Sequence, residues 1–414
     1  MKYIIIGSGM SGLAIANILK DAGNEVVVFE KSDKPGGMIK CDRIDGCLFH
    51  TTGGHVFNTK RQDVMDWFWN HFDRDKEFTK ALRNSSIVID GQKDNIPYPI
   101  ENHVYLFDNQ TQMLFIKDLL KMKENRVQEP RNFDEFLLGR FGKTLYDLYF
   151  QPYNYKVWRR DLKQVPLSWL AGKLPMPTVE EMIFNNMNHV EERMFVHSSF
   201  YYPKNGGSQF LADRLAKNLD IRYNKEIHSV RKTAHGWNVE GEEADRVVFC
   251  GNIKMIPALI HNQIDISGFE EEIEALESHG TTSVFCKIDK NPYSWIYQPS
   301  PRHDSHRIIC TGNFAESNNA CGMMTATIEF TDEISKEDIF DHLTRMPYNP
   351  KYIAHHYEKY TYPIQKDNTR KMIADIKKQL ENHGLYLLGR FAEWEYYNMD
   401  VAIGAAIDLS KRIS

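Results

Sequence analysis

The alternation of apolar and polar positions divides the chain into elements from its first residues. In "KYIIIGSGMSGLAIANILKDAGNEVVVFEK", Tyr3 to Ile6 is an unbroken apolar run, the pattern of a strand covered on both faces. A helix is expected from about Ser11 to Ala22, ended by Gly23 and Asn24, and a second strand from Glu25 to Phe29. From about 105 to 195 the spacing turns helical. "NFDEFLLGRFGKTLYDLYF" carries a capping Asn132 and apolar residues at Phe133, Phe136, Leu137, Phe141, Leu145 and Leu148. Near 200, "FYYPKNGG" marks a turn that feeds an amphipathic helix, and short strand patterns follow as far as "DRVVFCGN". Strand formers return between about 281 and 331, and "GLYLLGRFAEWEYYNMDVAIGAAIDLSKRI" predicts a strand, a loop and a closing helix. The order predicts an α/β protein with no internal repeat. A discontinuous Rossmann-type domain is expected from residues 1–100, 200–260 and 380–414, with a helical insertion at 101–199 and a mainly antiparallel β-sheet substrate domain at 261–379.

Within the first βαβ unit, Gly7, Gly9 and Gly12 form GxGxxG, and Glu30 follows Gly12 by eighteen residues. Gly7 permits the sharp turn, Gly9 lets a pyrophosphate approach the backbone, and Gly12 allows close packing of helix on strand. Free N–H groups at the helix start bind the pyrophosphate, and Glu30 can accept hydrogen bonds from ribose hydroxyls. An acid there suits FAD or NAD rather than a 2′-phosphate. The second glycine pair, Gly36 and Gly37 in "KSDKPGGMIK", reads either as a plain turn or as packing against the diphosphate of FAD, and its place just past Glu30 favours FAD.

Composition narrows the function classes. The chain has 414 residues, 42% of them hydrophobic, which is enough for more than one domain. A net charge of −5 offers no broad attraction to nucleic acid or to an anionic membrane. Cys41, Cys47, Cys250, Cys286, Cys310 and Cys321 are scattered without a CxxC pair, which argues against a disulfide framework or a zinc ribbon. No apolar run approaches the ~20 residues of a membrane span, and "MKYIIIGSG" is too short for a signal peptide. A cytoplasmic protein is expected, with no nucleic-acid partner and no membrane insertion.

"FHTTGGHVFN", Phe49 to Asn58, poses three readings: a metal site, a tight turn, or backbone shaped to lie against something flat. His50 and His55 are five apart with no HExxH spacing, so no metal is expected. The closing helix also has two readings. Its N-terminus, near Asp400 to Gly404, can aim N–H groups at a flavin's pyrimidine edge, or it can simply cap the sheet.

Taken together, these segments resemble the UDP-galactopyranose mutases, within the wider group of amine-oxidase and protoporphyrinogen-oxidase-like flavoproteins. Bacterial mutases carry a stretch of the form H-K-Y-G-x-H-I-F-H-T, and "HTTGGHVFNT" matches it at His50, Gly53, His55, Phe57 and Thr59. The resemblance implies that this loop runs beside the isoalloxazine ring, with His55 close to it and Gly53 and Gly54 sparing the ring a side chain. It implies further FAD contacts from Lys31, Gly389, Arg390, Met399, Asp400 and Val401. In "YNYKVWRRDLKQVPLSWLAGKLP", Tyr153 would stack on uracil and Trp158 would line the substrate pocket. The mutases hold the sugar-nucleotide diphosphate with two arginines and a pair of tyrosines, a role that needs fixed positive charge and O–H donors. Arg307 in "SHRIICTGNF" matches the second arginine, and Tyr362 and Tyr396 match the tyrosines. Two departures stand out. Lys173 occupies the place of the first arginine, keeping charge but not the guanidinium fork, and Asn398 stands where an aspartate is usual.

The resemblance implies an intramolecular transferase that uses reduced FAD without net redox. The flavin N5 would attack the anomeric carbon of a UDP-sugar and displace UDP, and the sugar would reclose in the other ring size, in the service of cell-surface polysaccharide synthesis. Lys173, Arg307, His55 and Arg390 are the residues it brings nearest to the chemistry, and a homodimer is compatible with it. Two other readings stay open: an FAD-dependent oxidoreductase of the amine-oxidase or protoporphyrinogen-oxidase type, and a flavin-binding homologue without mutase activity.

Overall fold

Two sheets organise the chain in the computed structural model, which describes residues 1–124, 129–167, 177–190, 199–261, 263–320 and 322–413. The first sheet is parallel, with strands in the order Leu385–Leu387, Arg246–Phe249, Lys2–Ile6, Glu25–Phe29 and Asp220–Arg222. Its central strand is apolar because both faces are covered. Tyr3 and Ile5 join Leu13, Ile403 and Ala406 on one side, while Ile4 and Ile6 join Val247, Ile376 and Leu380 on the other. Segments from the start, middle and end of the chain thus build one Rossmann-type sheet, the discontinuous arrangement expected from the sequence. The helix Thr369–Glu381 also packs here, through a stripe of Met372, Ile373, Ile376 and Leu380, although it lies almost wholly in the stretch assigned to the substrate sheet.

The second sheet runs in the order Lys351–Pro363, Ser278–Ile288, Met324–Thr331, Arg307–Ile309, Trp295–Tyr297, Ser85–Ile87 and Ile96–Pro97. All its pairs are antiparallel except Trp295–Tyr297 with Ser85–Ile87. The strands at 85–97 therefore belong to this sheet, not to the Rossmann unit whose boundary was expected at 100. They are too short to declare themselves, and only their pairing with Trp295–Tyr297 reveals them. One face of this sheet packs on the helix Lys336–Leu343 through Val284, Ile308, Ile328 and Leu343. The opposite face carries the site.

A helical layer covers one end of that face. Asn132 caps the helix Phe133–Leu145 as expected, its side chain accepting from the Glu135 N–H at 2.9 Å. The helix does not run straight on, because Gly142 sits at φ 76° and a Cβ there would meet Asp118 Cβ at 2.6 Å. Asp118 caps the restart by accepting from the Thr144 N–H and hydroxyl at 2.7 and 2.6 Å. The turned axis leads into the helix Gln151–Trp158, which delivers Tyr153 to the sheet. No helix among the described residues is long and apolar enough to cross a membrane.

Candidate functional site

The glycine loop joins strand to helix with no side chain on its outer side. Gly7 has φ 104°, and a Cβ on Gly12 would lie 1.9 Å from the Gly7 carbonyl oxygen, so helix and strand can touch only through glycine. A Cβ on Gly9 would meet nothing nearer than Gly37 Cα at 4.0 Å, so the outer side of the loop is open. The helix Met10–Asp21 that starts there has no side-chain cap, which leaves its first N–H groups for a ligand. The second glycine pair packs directly on this loop. Gly36 N–H donates to the Ser8 carbonyl at 2.9 Å, and a Cβ on Gly37 would come within 3.1 Å of Gly9.

Glu30 is buried at the end of the second strand. It accepts from the Ser8 N–H and hydroxyl at 2.8 and 2.7 Å, and from the Ser32 N–H and hydroxyl at 2.9 and 2.6 Å. Burial opposes its charge, but these four bonds outweigh burial and hold the carboxyl below its ordinary range. The backbone donors fix the carboxylate, while the two hydroxyls are rotors that a ribose hydroxyl can replace. Lys31 beside it is exposed.

Gly389 has φ 108° and packs directly on Ser11 at the helix start, where a Cβ would approach the hydroxyl to 2.9 Å. The closing helix, Met399–Ile413, starts beyond it with Met399 buried, Asp400 half-buried and Val401 exposed.

The loop after His50 separates two histidines by role. His50 is fully buried, with Nε2 2.7 Å from the Tyr202 hydroxyl and Nδ1 3.2 Å from the Ser208 hydroxyl, and burial lowers its pKa to about 3. It is a structural residue, fully partnered. His55 is also kept neutral, its pKa lowered to about 4 by burial and by Arg390, yet its Nε2 is buried with no hydrogen-bond partner. An orphaned ring nitrogen is what a ligand edge would satisfy. Gly53 has φ 68° and lies beside His55. Gly54 answers to a different constraint from the one expected. A Cβ there would meet Ile309 Cγ2 at 2.6 Å, so its small size serves packing of the loop on the sheet. Among the described residues no group of three His, Cys, Asp or Glu side chains is placed to hold a metal.

From His55 a line of polar contacts runs along the face of the second sheet. Arg390 lies 4.5 Å from the centre of the Tyr396 ring, and Tyr396 stacks on Tyr362 with centroids 5.5 Å apart and planes 6° from parallel. The Tyr362 hydroxyl accepts from the Arg307 guanidinium at 3.0 Å, and Arg307 Nε donates to Glu329. Burial disfavours the Arg307 charge, and the Glu329 carboxylate more than restores it. Glu329 is 1% exposed, and its carboxyl is held at about 2 despite that burial by Arg307 and by His306, whose Nε2 is 3.5 Å away. Burial raises the pKa of Tyr362 and of Tyr153, so both keep their protons at neutral pH. Tyr153 sits at the far end, its ring stacked on Tyr149 at 5.3 Å and edge-on to Tyr297 at 5.4 Å. Arg390 is held by the carbonyls of Tyr397 and Thr361, at 3.1 and 3.0 Å, so most of its donors are taken within the protein.

The structure thus brings Tyr153, Arg307, Tyr362, Tyr396, Arg390 and His55 together. Trp158 is buried within the apolar cluster of the helical layer. Lys173 lies outside the described residues. Two residues of the site were not anticipated. Glu329 had a signal, an acid inside the apolar strand "MMTATIEF". Arg83 had none. It donates to the Tyr297 hydroxyl and, at 2.7 Å, to Ser85, with its guanidinium 5.2 Å from the Trp295 ring centre, and so holds the Tyr297 ring that packs edge-on to Tyr153.

Residues 5–72 match the family described as NAD(P)-binding Rossmann-like domain. Over 99% of its length the chain is 24% identical to a dTDP-fucopyranose mutase of Escherichia coli, of which 97% is covered. It is 21% identical to a UDP-galactopyranose mutase of Mycoplasma pneumoniae, over 99% of this chain and 96% of that one. Among solved structures, a reduced UDP-galactopyranose mutase superposes over the whole chain and 93% of its own, with a TM-score of 0.87 at 19% identity. The resemblance carried by the sequence motifs therefore extends over nearly the full length of the chain.

Proposed function

We propose that the protein is a flavin-dependent mutase that interconverts the pyranose and furanose forms of a nucleoside-diphosphate sugar, with UDP-galactopyranose the first substrate to test. The observation that carries this reading is the line Glu329–Arg307–Tyr362–Tyr396, a buried carboxylate followed by three half-buried side chains, which offers a fixed guanidinium and phenolic donors at one place. An amine or an apolar ring would have no use for it. The open glycine loop, the uncapped helix start and Glu30 suit the adenosine diphosphate half of FAD, and the orphaned Nε2 of His55 suits the edge of its ring system.

When bound, reduced FAD supplies the electron pair that displaces the nucleoside diphosphate from the anomeric carbon. The chain's own residues manage the leaving group and the pose. Arg307 stabilises the charge that grows on the departing diphosphate, and Glu329 keeps the guanidinium in place without reaching the ligand. Tyr362 accepts from Arg307, which leaves its own O–H free to donate to a phosphate oxygen. Tyr396 stands parallel to it, held by the Arg390 face. Tyr153 offers an aromatic surface for a pyrimidine base, and neutral His55 adds no charge beside Arg390. The reading carries with it a cytoplasmic homodimer that supplies furanose donors for cell-surface polysaccharide.

The test is to reduce the purified flavoprotein with dithionite, add UDP-galactose and dTDP-fucose separately, and look for ring-contracted product by chromatography. Conversion of either supports the proposal and names the nucleotide. Failure to bind UDP or dTDP at millimolar concentration overturns it, and substrate-driven flavin reduction by an amine would point instead to an oxidoreductase.

A further inference from the structure

The same face carries a second buried group that no sequence motif marks. His279 is 8% exposed, and its Nδ1 lies 3.0 and 3.2 Å from the two carboxylate oxygens of Asp332. Asp332 is held in turn, accepting from the Gly280 N–H at 2.9 Å, with its backbone at φ 63°. The carboxylate therefore fixes the orientation of the ring. The other ring nitrogen, Nε2, is buried and has no hydrogen-bond partner. A buried, oriented, unpartnered donor or acceptor calls for a ligand.

Strand pairing shows where that nitrogen lies. His279 is the register partner of Tyr362, and residues directly opposite in an antiparallel pair carry their side chains on the same face. The Tyr362 hydroxyl is the one bound by Arg307. Thr331, next to Asp332, donates to the Val157 carbonyl at 3.3 Å, so the end of the Tyr153 helix closes the other side. His279 thus shares a sheet face with Tyr362 and lies beside the strand end that meets the helix carrying Tyr153.

We propose that His279, oriented by Asp332, is a further diphosphate-binding residue of this site, donating its Nε2–H to a phosphate oxygen of the nucleotide. The inference rests on the nucleotide-sugar reading above. With Nδ1 directed at the Asp332 carboxylate, Nε2 is the ring atom left to meet a phosphate, and a ring flanked by two anions can donate to both. Arg307 and Tyr362 face the same ligand from the sheet, so His279 would complete a three-sided grip.

The experiment compares binding of UDP with uridine, and of dTDP with thymidine, to the reduced holoprotein by calorimetry. Loss of one charge-assisted bond predicts about a tenfold weaker diphosphate affinity in His279→Ala, with nucleoside affinity unchanged. His279→Gln, which can place an N–H near the same point without the charge, should recover part of the loss, and Asp332→Asn should weaken the diphosphate alone. Diphosphate affinity unchanged in His279→Ala overturns the inference, as does an equal loss for nucleoside and diphosphate, which would mark a purely structural role. A parent protein that binds neither diphosphate removes the nucleotide-sugar reading itself, an outcome distinct from either.

Discussion

At Glu329 two physical effects oppose each other. Burial penalises the carboxylate, and Arg307 and His306 more than offset it, so the group titrates at about 2 rather than at its ordinary 4.5. The unfolded chain then takes up its proton first as the pH falls. The stability this pair contributes is complete above about 4.5 and is lost on the way down to about 2. Denaturant midpoints measured over that window should show the decline, and Glu329→Gln should remove it. At neutral pH the same substitution strands a mostly buried guanidinium and should cost about 3 kcal/mol. His50 has the opposite chemistry with the same sign. Its folded pKa of about 3 lies below 6.5, so stability falls as the pH drops from about 6.5 towards 3, because only the unfolded form gains the proton. His50→Gln keeps a hydrogen-bonding group and cannot titrate, and should flatten the pH dependence in that window by one proton.

Two helices test whether a glycine is needed for space or merely present. In the helix Met10–Asp21, a Cβ on Gly12 meets a backbone carbonyl at 1.9 Å, and only separation of helix from strand could relieve it. Gly12→Ala should release the cofactor and destabilise the fold by about 3 kcal/mol or more, read from the flavin absorbance that co-purifies and from urea midpoints. In the closing helix, a Cβ on Gly404 meets Arg61 Nη1 at 2.7 Å, the far end of a partly exposed side chain. Arg61 can swing away and loosen its pairs with Asp63 and Asp408, which are exposed ion pairs of small worth. Gly404→Ala should therefore change stability by less than about 1 kcal/mol, since helix propensity favours alanine. The same substitution in two helices thus separates a constraint of packing from one of propensity.

For the molecule as a whole, the Rossmann sheet is assembled from three distant segments that meet around the proposed cofactor crevice. A ligand that binds only the folded form adds stability by mass action, about 4 kcal/mol at a thousand times its dissociation constant. Stripping the flavin should lower the thermal midpoint, and restoring FAD should return it. A midpoint indifferent to FAD would speak against the crevice as its site. How much of this was legible in the sequence varied with distance along the chain. Gly7, Gly9, Gly12 and Glu30 could be read directly, because their geometry is set by neighbours within thirty residues. Arg307, Tyr362 and Tyr396 could be named only through resemblance, and the constraint on Gly54 comes from Ile309, about 250 residues away in the chain, which no local pattern reveals. Arg83 and His279 left no trace in any local pattern. Their roles depend on which strands pair, Trp295–Tyr297 with Ser85–Ile87 and His279 with Tyr362. Periodicity and glycine spacing are local properties of the backbone, and they suffice to specify the Rossmann unit. Which residues share the site follows instead from strand pairing across the fold, because a register shift of one position in any of those strands would turn their side chains to the opposite face.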